Sequence, residues 1–265
     1  MKLKTLAAIA ALALVAASSA RSQVTYDSAN GDFLIGFRQQ GNTNSILADI
    51  GPILNFSITQ TFNLGNIGTL LSSTFGSGWA NDPTVFMSLM STQSPALGRT
   101  NYITFSDQVR ATPWNKLTNT NSGTLQNKIV AMGNQYNTFA GQQTPGNPAV
   151  IEAQAQAPDG YRQYMPGGTN DAGHATGNIA FGFFNPTTEA NFGAGIAGIG
   201  LHLAMLDPGS GPGTLLGDFS LSADASLLTF TPVPEPSSCA LLTLAIVTTG
   251  VAVFRRSFYS KTNQS

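Results

Sequence analysis

Period-two alternation of apolar and polar residues is the feature of this sequence that most restricts its fold. Near the carboxyl end of the chain, Leu215, Phe219 and Leu221 fall on one face of an extended segment. Asp218 and Ser220 fall on the opposite face. Similar short runs recur along the chain, and Gly, Pro, Asn and Asp separate them. This pattern is typical of antiparallel strands that bury one side, so it predicts a mainly β domain.

The alternating runs divide the central part of the chain into about nine strands. They cover residues 33–37, 45–50, 53–64, 84–90, 101–105, 178–184, 196–206, 214–222 and 226–231. In the run 196–206, Leu201, Leu203 and Met205 share one face, and His202 lies on the other. Because the runs lack the spacing of β-α-β units, we expect an antiparallel β-sandwich, jelly-roll-like, with one or two short inserted helices.

Two stretches have helical rather than strand periodicity. The longer one places apolar residues at steps of four and three: Leu125, Ile129, Met132, Tyr136 and Phe139. It predicts a helix with Ser122 as its N-cap. A shorter helical turn is predicted over 67–75, before Gly76. The segment 140–178 shows no clear period and predicts long loops, with one weak strand near 150–154.

Composition restricts the partners and the means of stabilisation. From Arg21 to Pro232 the chain has seven basic and twelve acidic residues, a net charge of about −5. The basic residues are not clustered, which argues against nucleic acid as a partner. Charged residues make up only 9% of the chain. The single cysteine, Cys239, lies outside this region, so no disulfide or cysteine-based metal site is expected within it.

The amino-terminal residues 1–20 have the three parts of a secretory signal peptide. Lys2 and Lys4 form a positive start, residues 6–17 are apolar, and small residues end the segment. We expect signal peptidase to cut after Ala20, with a cut after Ser22 as the alternative. The general secretion machinery would then export residues 21–231 as one domain.

The carboxyl-terminal residues 232–265 also have three parts. Pro234, Glu235 and Pro236 come first, an apolar run follows over about 238–254, and Arg255 and Arg256 close it. The prolines keep the motif extended. The run is near the lower length limit for a membrane-spanning helix. The two arginines favour the cytoplasmic side, so the segment predicts a single inner-membrane anchor.

This three-part tail resembles the PEP-CTERM sorting signal of bacteria that make exopolysaccharide. In that family a membrane protease called exosortase recognises the motif and cuts near it. The resemblance implies that Val233, Pro234, Glu235 and Pro236 are recognition residues of a substrate. Residues 26–37, 71–79, 113–114, 216–222 and 228–236 are similar to short patterns of exported PEP-CTERM domains. The resemblance implies no enzymatic activity and no cofactor.

Residue types that carry catalysis or bind metals are few. His174 lies in a Gly-rich loop and His202 in a strand, without the spacing of a histidine metal site. Glu152 and Glu189 are the only glutamates between the two ends, and a glycosidase would need such a pair. The aspartates at 159, 171, 207 and 218 lie near Gly-rich turns and match no calcium-loop spacing. We therefore expect no metal site and no enzyme.

Aromatic residues near Gly, Pro and Asn are the best candidates for sugar binding. They are Trp79, Trp114, Tyr161 and Tyr164, with core packing as the alternative. The sequence as a whole predicts an exported cell-surface or exopolysaccharide-matrix protein with a structural or adhesive role. A carbohydrate-binding module is the first alternative. A matrix-acting glycoside hydrolase and an ice-binding protein are weaker ones, the latter because regular Thr-x-Thr repeats are absent.

Overall fold

A computed structural model describes residues 24–93, 98–108, 111–144, 146–165 and 188–233. Within these residues the chain forms ten strands and three α-helices. The strands are β1 (Asp32–Gln39), β2 (Asn44–Pro52), β3 (Gln60–Asn63), β4 (Val85–Thr92), β5 (Asn101–Ser106), β6 (Ala149–Ala153), β7 (Ala190–Asn191), β8 (Leu201–Leu206), β9 (Thr214–Leu221) and β10 (Leu227–Pro232). The helices are α1 (Ile67–Phe75), α2 (Asn119–Thr138) and α3 (Tyr161–Tyr164). The mainly β prediction is confirmed.

All ten strands belong to one antiparallel sheet, in the order β3-β10-β9-β8-β5-β4-β1-β2-β6, with β7 paired to the start of β4. The sheet curls like half a barrel, as the ring of Phe56 demonstrates. Its centroid lies 6.4 Å from Phe33 on β1 and 6.0 Å from Phe230 on β10. Four strands separate β10 from β1 in the sheet, so a flat sheet could not bring both to one ring.

The predicted sandwich of two separate sheets is therefore wrong for the described strands. Alternation along a strand shows which side is buried, but it does not show which strands pair. Because each strand is rotated by about 20–25° from its neighbour, a sheet this wide can curl around its own core. The two halves of one sheet then provide the opposing walls that two sheets would provide in a sandwich.

The concave side of the sheet, called here the inner face, encloses the larger core. Its buried side chains come from nearly every strand, and Ile67, Leu71 and Phe75 of α1 pack against them. The prediction of a short helix over 67–75 that ends before Gly76 is confirmed. The apolar stripe of this helix is therefore part of the inner core.

The convex side, called here the outer face, carries a second core under α2. Leu125, Ile129, Met132 and Tyr136 are fully buried, as their helical spacing predicted. The predicted N-cap is wrong, because the Thr118 side chain accepts the hydrogen bond from the Asn121 N–H. Ser122 lies one turn inside the helix and donates its Oγ–H to the Arg99 carbonyl, 2.7 Å away. At 20 residues α2 is also longer than the short insertion expected.

The alternation of buried and exposed side chains along β9 is interrupted at one residue. Opposite β9, Leu203 pairs with Gly217 and the next residue, Ala204, pairs with Leu215, so Leu216 is the extra residue of a β-bulge. As a result Leu216 packs on the inner core and Leu215 is exposed. The prediction that Leu215 shares a buried face with Phe219 is therefore wrong.

Four other predicted strands have different outcomes in the structure. The predicted strand 53–64 is shortened to β3, because the preceding loop inserts Phe56 into the inner core. The weak strand near 150–154 is confirmed as β6, and in the run 196–206 a short 3-10 helix (Ile196–Gly198) precedes β8. The predicted strand over 178–184 lies outside the described residues.

Candidate functional site

A group of buried polar side chains lies on the outer face, beside the end of the apolar core under α2. We call it the Tyr161 cluster, and it comprises Arg38, Ser88, Glu152, Tyr161 and Glu189. Four of these residues come from sheet strands or their flanks, and only Tyr161 comes from α3. It therefore joins four distant parts of the chain through one short helix.

Local sequence explains how Tyr161 comes so close to the sheet. The residue beneath its ring is Gly36 of β1, and a Cβ atom placed there would lie 2.1 Å from two ring carbons. Only glycine leaves room for an aromatic ring packed directly against the strand. Gly36 is thus a packing requirement, because its backbone conformation is that of an ordinary strand residue.

Both glutamates of the domain contact Tyr161. The Tyr161 hydroxyl donates to Glu189 Oε1 at 2.9 Å and lies 2.8 Å from Ser88 Oγ. The Tyr161 backbone N–H donates to Glu152 Oε2 at 2.8 Å. Because a hydroxyl has one hydrogen, Ser88 donates to the tyrosine oxygen while that oxygen donates to Glu189. The sequence offered no reason to place these two glutamates around one residue.

Arg38 holds Glu189 through a fork of charge-assisted hydrogen bonds. Its Nε lies 2.8 Å and 3.0 Å from the two carboxylate oxygens, and Nη2 lies 2.5 Å from Oε2. Strand β7 brings Glu189 there, because β7 pairs with Phe86 and Met87 of β4, and Phe86 also pairs with Arg38. The guanidinium carbon lies 4.5 Å from the centre of the Phe86 ring. Both charges are removed from water, so each depends on the other.

The two glutamates of the cluster lie in different electrostatic environments. Burial raises the pKa of Glu152 to about 7, and the hydrogen bonds from Tyr161 and Ser45 only partly oppose this. Burial also raises the pKa of the Tyr161 hydroxyl, and the negative charge of Glu189 raises it further. The cluster therefore contains one glutamate, Glu152, that titrates near neutral pH and one, Glu189, that is held in an ion pair.

The chemistry open to this arrangement is limited by access. Glu152, Glu189, Arg38 and Tyr161 are each at least 97% buried, so a sugar polymer cannot reach the carboxyl groups in this conformation. What the contacts do accomplish is structural: they fix α3 to β1, β4 and β6. Sequence reasoning missed Arg38 and Ser88. The available signal was an arginine directly after the apolar run 33–37 in a chain with few basic residues.

The four aromatic candidates for sugar binding are all buried. Trp79 packs edge-on against Phe192 in the inner core, with ring centroids 5.2 Å apart, and its Nε1–H donates to Ser72 Oγ. Trp114 belongs to the outer core and donates to the Thr104 carbonyl at 3.2 Å. Tyr161 and Tyr164 lie in the same outer core, and Asp159 accepts the Tyr164 hydroxyl hydrogen. The expectation of exposed platforms is corrected, because each ring fills core space and satisfies its polar atom internally.

His202 occupies the exposed part of the outer face and bridges two aspartates. Its Nε2 lies 2.9 Å from Asp107 Oδ1, and its Nδ1 contacts Asp218 Oδ1. Neutral imidazole has one N–H, so both contacts are satisfied only by the protonated ring. Partial burial opposes the charged form, but the contacts with Asp218 and Asp107 raise the pKa of His202 above its usual value.

The turn aspartates have partners of their own. Asp207 accepts from Thr100 Oγ1 at 2.6 Å, and Asp218 contacts His202. Over the ranges that the structure describes, no group of three or more His, Cys, Asp or Glu residues has the geometry of a metal site. His174 and Asp171 lie outside those ranges.

Two amide side chains clamp the start of the described chain. Asn137 accepts from the Tyr26 N–H and donates to the Tyr26 carbonyl, at 2.8 and 3.1 Å. Gln143 does the same for Val24, at 2.9 and 2.8 Å. The clamp thus imitates the hydrogen bonding of a neighbouring strand. Its residues were not singled out from the sequence, because an amide in or after a helix carries no mark of a distant partner.

The residues of the two targeting segments lie almost entirely outside the described ranges. These are the signal peptide 1–20 with Ala20, the motif residues Pro234, Glu235 and Pro236, the apolar run 238–254, and Arg255 and Arg256. Val233 is described: it is exposed, and its N–H donates to the Leu216 carbonyl at 3.1 Å. None of the helices in the described ranges combines the length and apolarity that crossing a bilayer requires.

Comparison with protein-family models, curated protein sequences and solved structures gives no match to this chain.

Proposed function

We propose that this chain is an exported bacterial protein of the cell surface or exopolysaccharide matrix, with a structural or adhesive role. The observation that carries the proposal is the tail of the sequence: Pro234-Glu235-Pro236, an apolar run over about 238–254, and Arg255-Arg256. In this proposal the run anchors the protein in the inner membrane until exosortase cuts near the motif. The signal peptide 1–20 supplies entry into the secretion machinery.

The end of the sheet supports this division of the chain. Strand β10 ends at Pro232, and the N–H of Val233, the last residue that the structure describes, donates to the Leu216 carbonyl. The Pro-Glu-Pro motif begins at the next residue. A cut near the motif would therefore remove the tail without removing any residue of β10. A protease substrate needs such a boundary, because cleavage inside a strand would destroy the released domain.

The accessible surface of the domain supports a place in a hydrated matrix. The outer face of β9, β10 and β3 presents hydroxyl groups at Ser220, Thr231 and Thr61, all of them exposed. A surface of this kind hydrates well without strong charge and tolerates contact with polysaccharide. The carbohydrate-binding alternative loses its four aromatic platforms, and no other observation favours it.

The proposal is tested by replacing the motif with Ala-Ala-Ala at 234–236 in the native host. Full-length protein should then accumulate in the membrane fraction, whereas the wild type should reach the matrix with a shortened carboxyl terminus measurable by mass spectrometry. The matched control replaces Thr262, Asn263 and Gln264 by alanine, behind the basic pair, and should be processed normally. Normal release of the motif variant would refute the sorting proposal.

A further inference from the structure

The two edges of the curled sheet differ in how their main-chain groups are covered. At β6 the short 3-10 helix Ala140–Gln142 lies alongside, and Gln142 Oε1 accepts the Ile151 N–H at 2.9 Å. At the opposite edge, Leu64 N–H donates to the Ser226 carbonyl, which sets the alternation of the β3–β10 ladder. By that alternation the N–H and C=O groups of Thr61 and Asn63 point away from β10. No backbone partner for either N–H is found among the described residues.

The surroundings of β3 lack the features that usually protect an edge strand. Natural edges carry lysines, prolines or other charges that prevent pairing with another chain. Residues 50–81, with β3 near their centre, contain no charged side chain, and β3 itself contains no proline. The loop before β3 exposes Leu54 and Ile58 by 84% and 54%, the two largest values among the exposed large apolar residues described. Gln60 holds this loop against β3 by bonding Leu54 N–H and the Asn55 carbonyl.

We propose that β3 is a self-association edge, at which a second copy of this chain adds its own β3 in antiparallel orientation. With Phe62 on the two-fold axis, Thr61 of each copy faces Asn63 of the other, and the pairs form four main-chain hydrogen bonds. Leu54 and Ile58 of each copy then become covered at the rim of the contact.

Charge explains why two copies of this chain would meet at this edge and not at another surface. Residues 21–232 carry a net charge of about −5, so two copies repel each other over most of their surfaces. The long uncharged stretch around β3 is the place where that repulsion is smallest. An interface of four strand residues and two apolar side chains is small, so we expect a dissociation constant of about 10–1,000 µM. The inference does not depend on the sorting proposal.

Sedimentation equilibrium of the full-length chain in density-matched detergent tests the proposal. All variants carry Cys239→Ser, so that no disulfide can link copies. Thr61→Pro removes an outward N–H and leaves the bonds to β10 intact, and Ile58→Lys places a charge at the rim. Each should raise the dissociation constant at least tenfold. Leu215→Lys, an exposed leucine of β9 away from the edge, should leave it unchanged.

Thermal unfolding of each variant shows whether its fold is kept, and Ile58→Lys serves if Thr61→Pro does not fold. A wild-type chain that stays monomeric at about 1 mM would overturn the proposal. So would dimers that Thr61→Pro and Ile58→Lys leave as tight as in the wild type. The variant with alanines at 234–236 should dimerise like the wild type, which separates failure of this inference from failure of the sorting proposal.

Discussion

Glu152→Gln is expected to stabilise the protein at alkaline pH and to leave it unchanged in acid. The carboxyl group is buried on the outer face, where Tyr161 and Ser45 contact only Oε2, and no described group contacts Oε1. Glutamine has nearly the same shape as the protonated acid, keeps an oxygen for the Tyr161 N–H and cannot ionise. The variant therefore removes the cost of a buried charge while preserving the contact.

The magnitude follows from the difference between the folded and unfolded pKa values. Burial raises the Glu152 pKa from 4.5 to about 7, a difference worth about 3 kcal/mol at 1.36 kcal/mol per pH unit. Because the folded pKa is raised, the stability contributed by the neutral acid is complete below pH 4.5 and is lost as pH rises to about 7. At pH 8 the variant should exceed the wild type by up to about 3 kcal/mol, or about 6–12 °C in Tm.

Urea and thermal unfolding of both proteins between pH 4 and pH 8.5 measure this difference. The control is Glu189→Gln, which leaves the buried Arg38 charge without its carboxylate and should cost about 3–5 kcal/mol at every pH. Equal stability of wild type and Glu152→Gln at pH 8 would refute the reasoning. So would a difference between them that does not change with pH, since that would point to packing rather than ionisation.

Two further outcomes are expected. His202→Asn should lower the free energy of unfolding by about 0.5–1 kcal/mol below pH 6.5. Because the pKa of His202 is raised in the folded protein, its contribution is complete there and is lost as pH rises through the folded pKa. A urea titration in which the deficit grows with pH would contradict this. Gly36→Ala should displace the Tyr161 ring and lower the free energy of unfolding by about 1–3 kcal/mol, since its Cβ would lie 2.1 Å from that ring. The near-ultraviolet circular dichroism signal should change with it. An unaltered signal and melting temperature would show that the ring is not in contact with Gly36.

Local patterns predicted individual elements well and their partners poorly. The stripe from Leu125 to Tyr136 faces the outer core because a 3.6-residue period leaves little choice of buried side. The alternation in β8 likewise placed Leu201 and Leu203 on the inner face. The single curled sheet was not predictable in this way, since pairing between β3 and β10 depends on residues that are 168 apart in sequence.

The candidate site was the least predictable part. Trp79 and Trp114 are sugar-binding candidates because they neighbour Gly, Pro and Asn, but proximity to turn residues does not imply exposure. The Tyr161 cluster depends on tertiary contacts between Arg38 and Glu189, which are 151 residues apart. The bulge at Leu216 also left no mark in the alternation of β9. Burial of polar groups is decided by which distant strand arrives beside them, and single-residue patterns do not carry that information.

If the chain crosses a membrane amino end first, as proposed above, the pairing of β3 with β10 has a consequence for the order of folding events. β1, β2 and β4 can associate early, whereas β3 must wait until residues 227–232 have emerged. Throughout that interval both sides of β3 are open and the inner core lacks one wall. The last strand to arrive immediately precedes the Pro-Glu-Pro motif, so a membrane-held tail would keep each unfinished domain apart from its neighbours until its folding is complete.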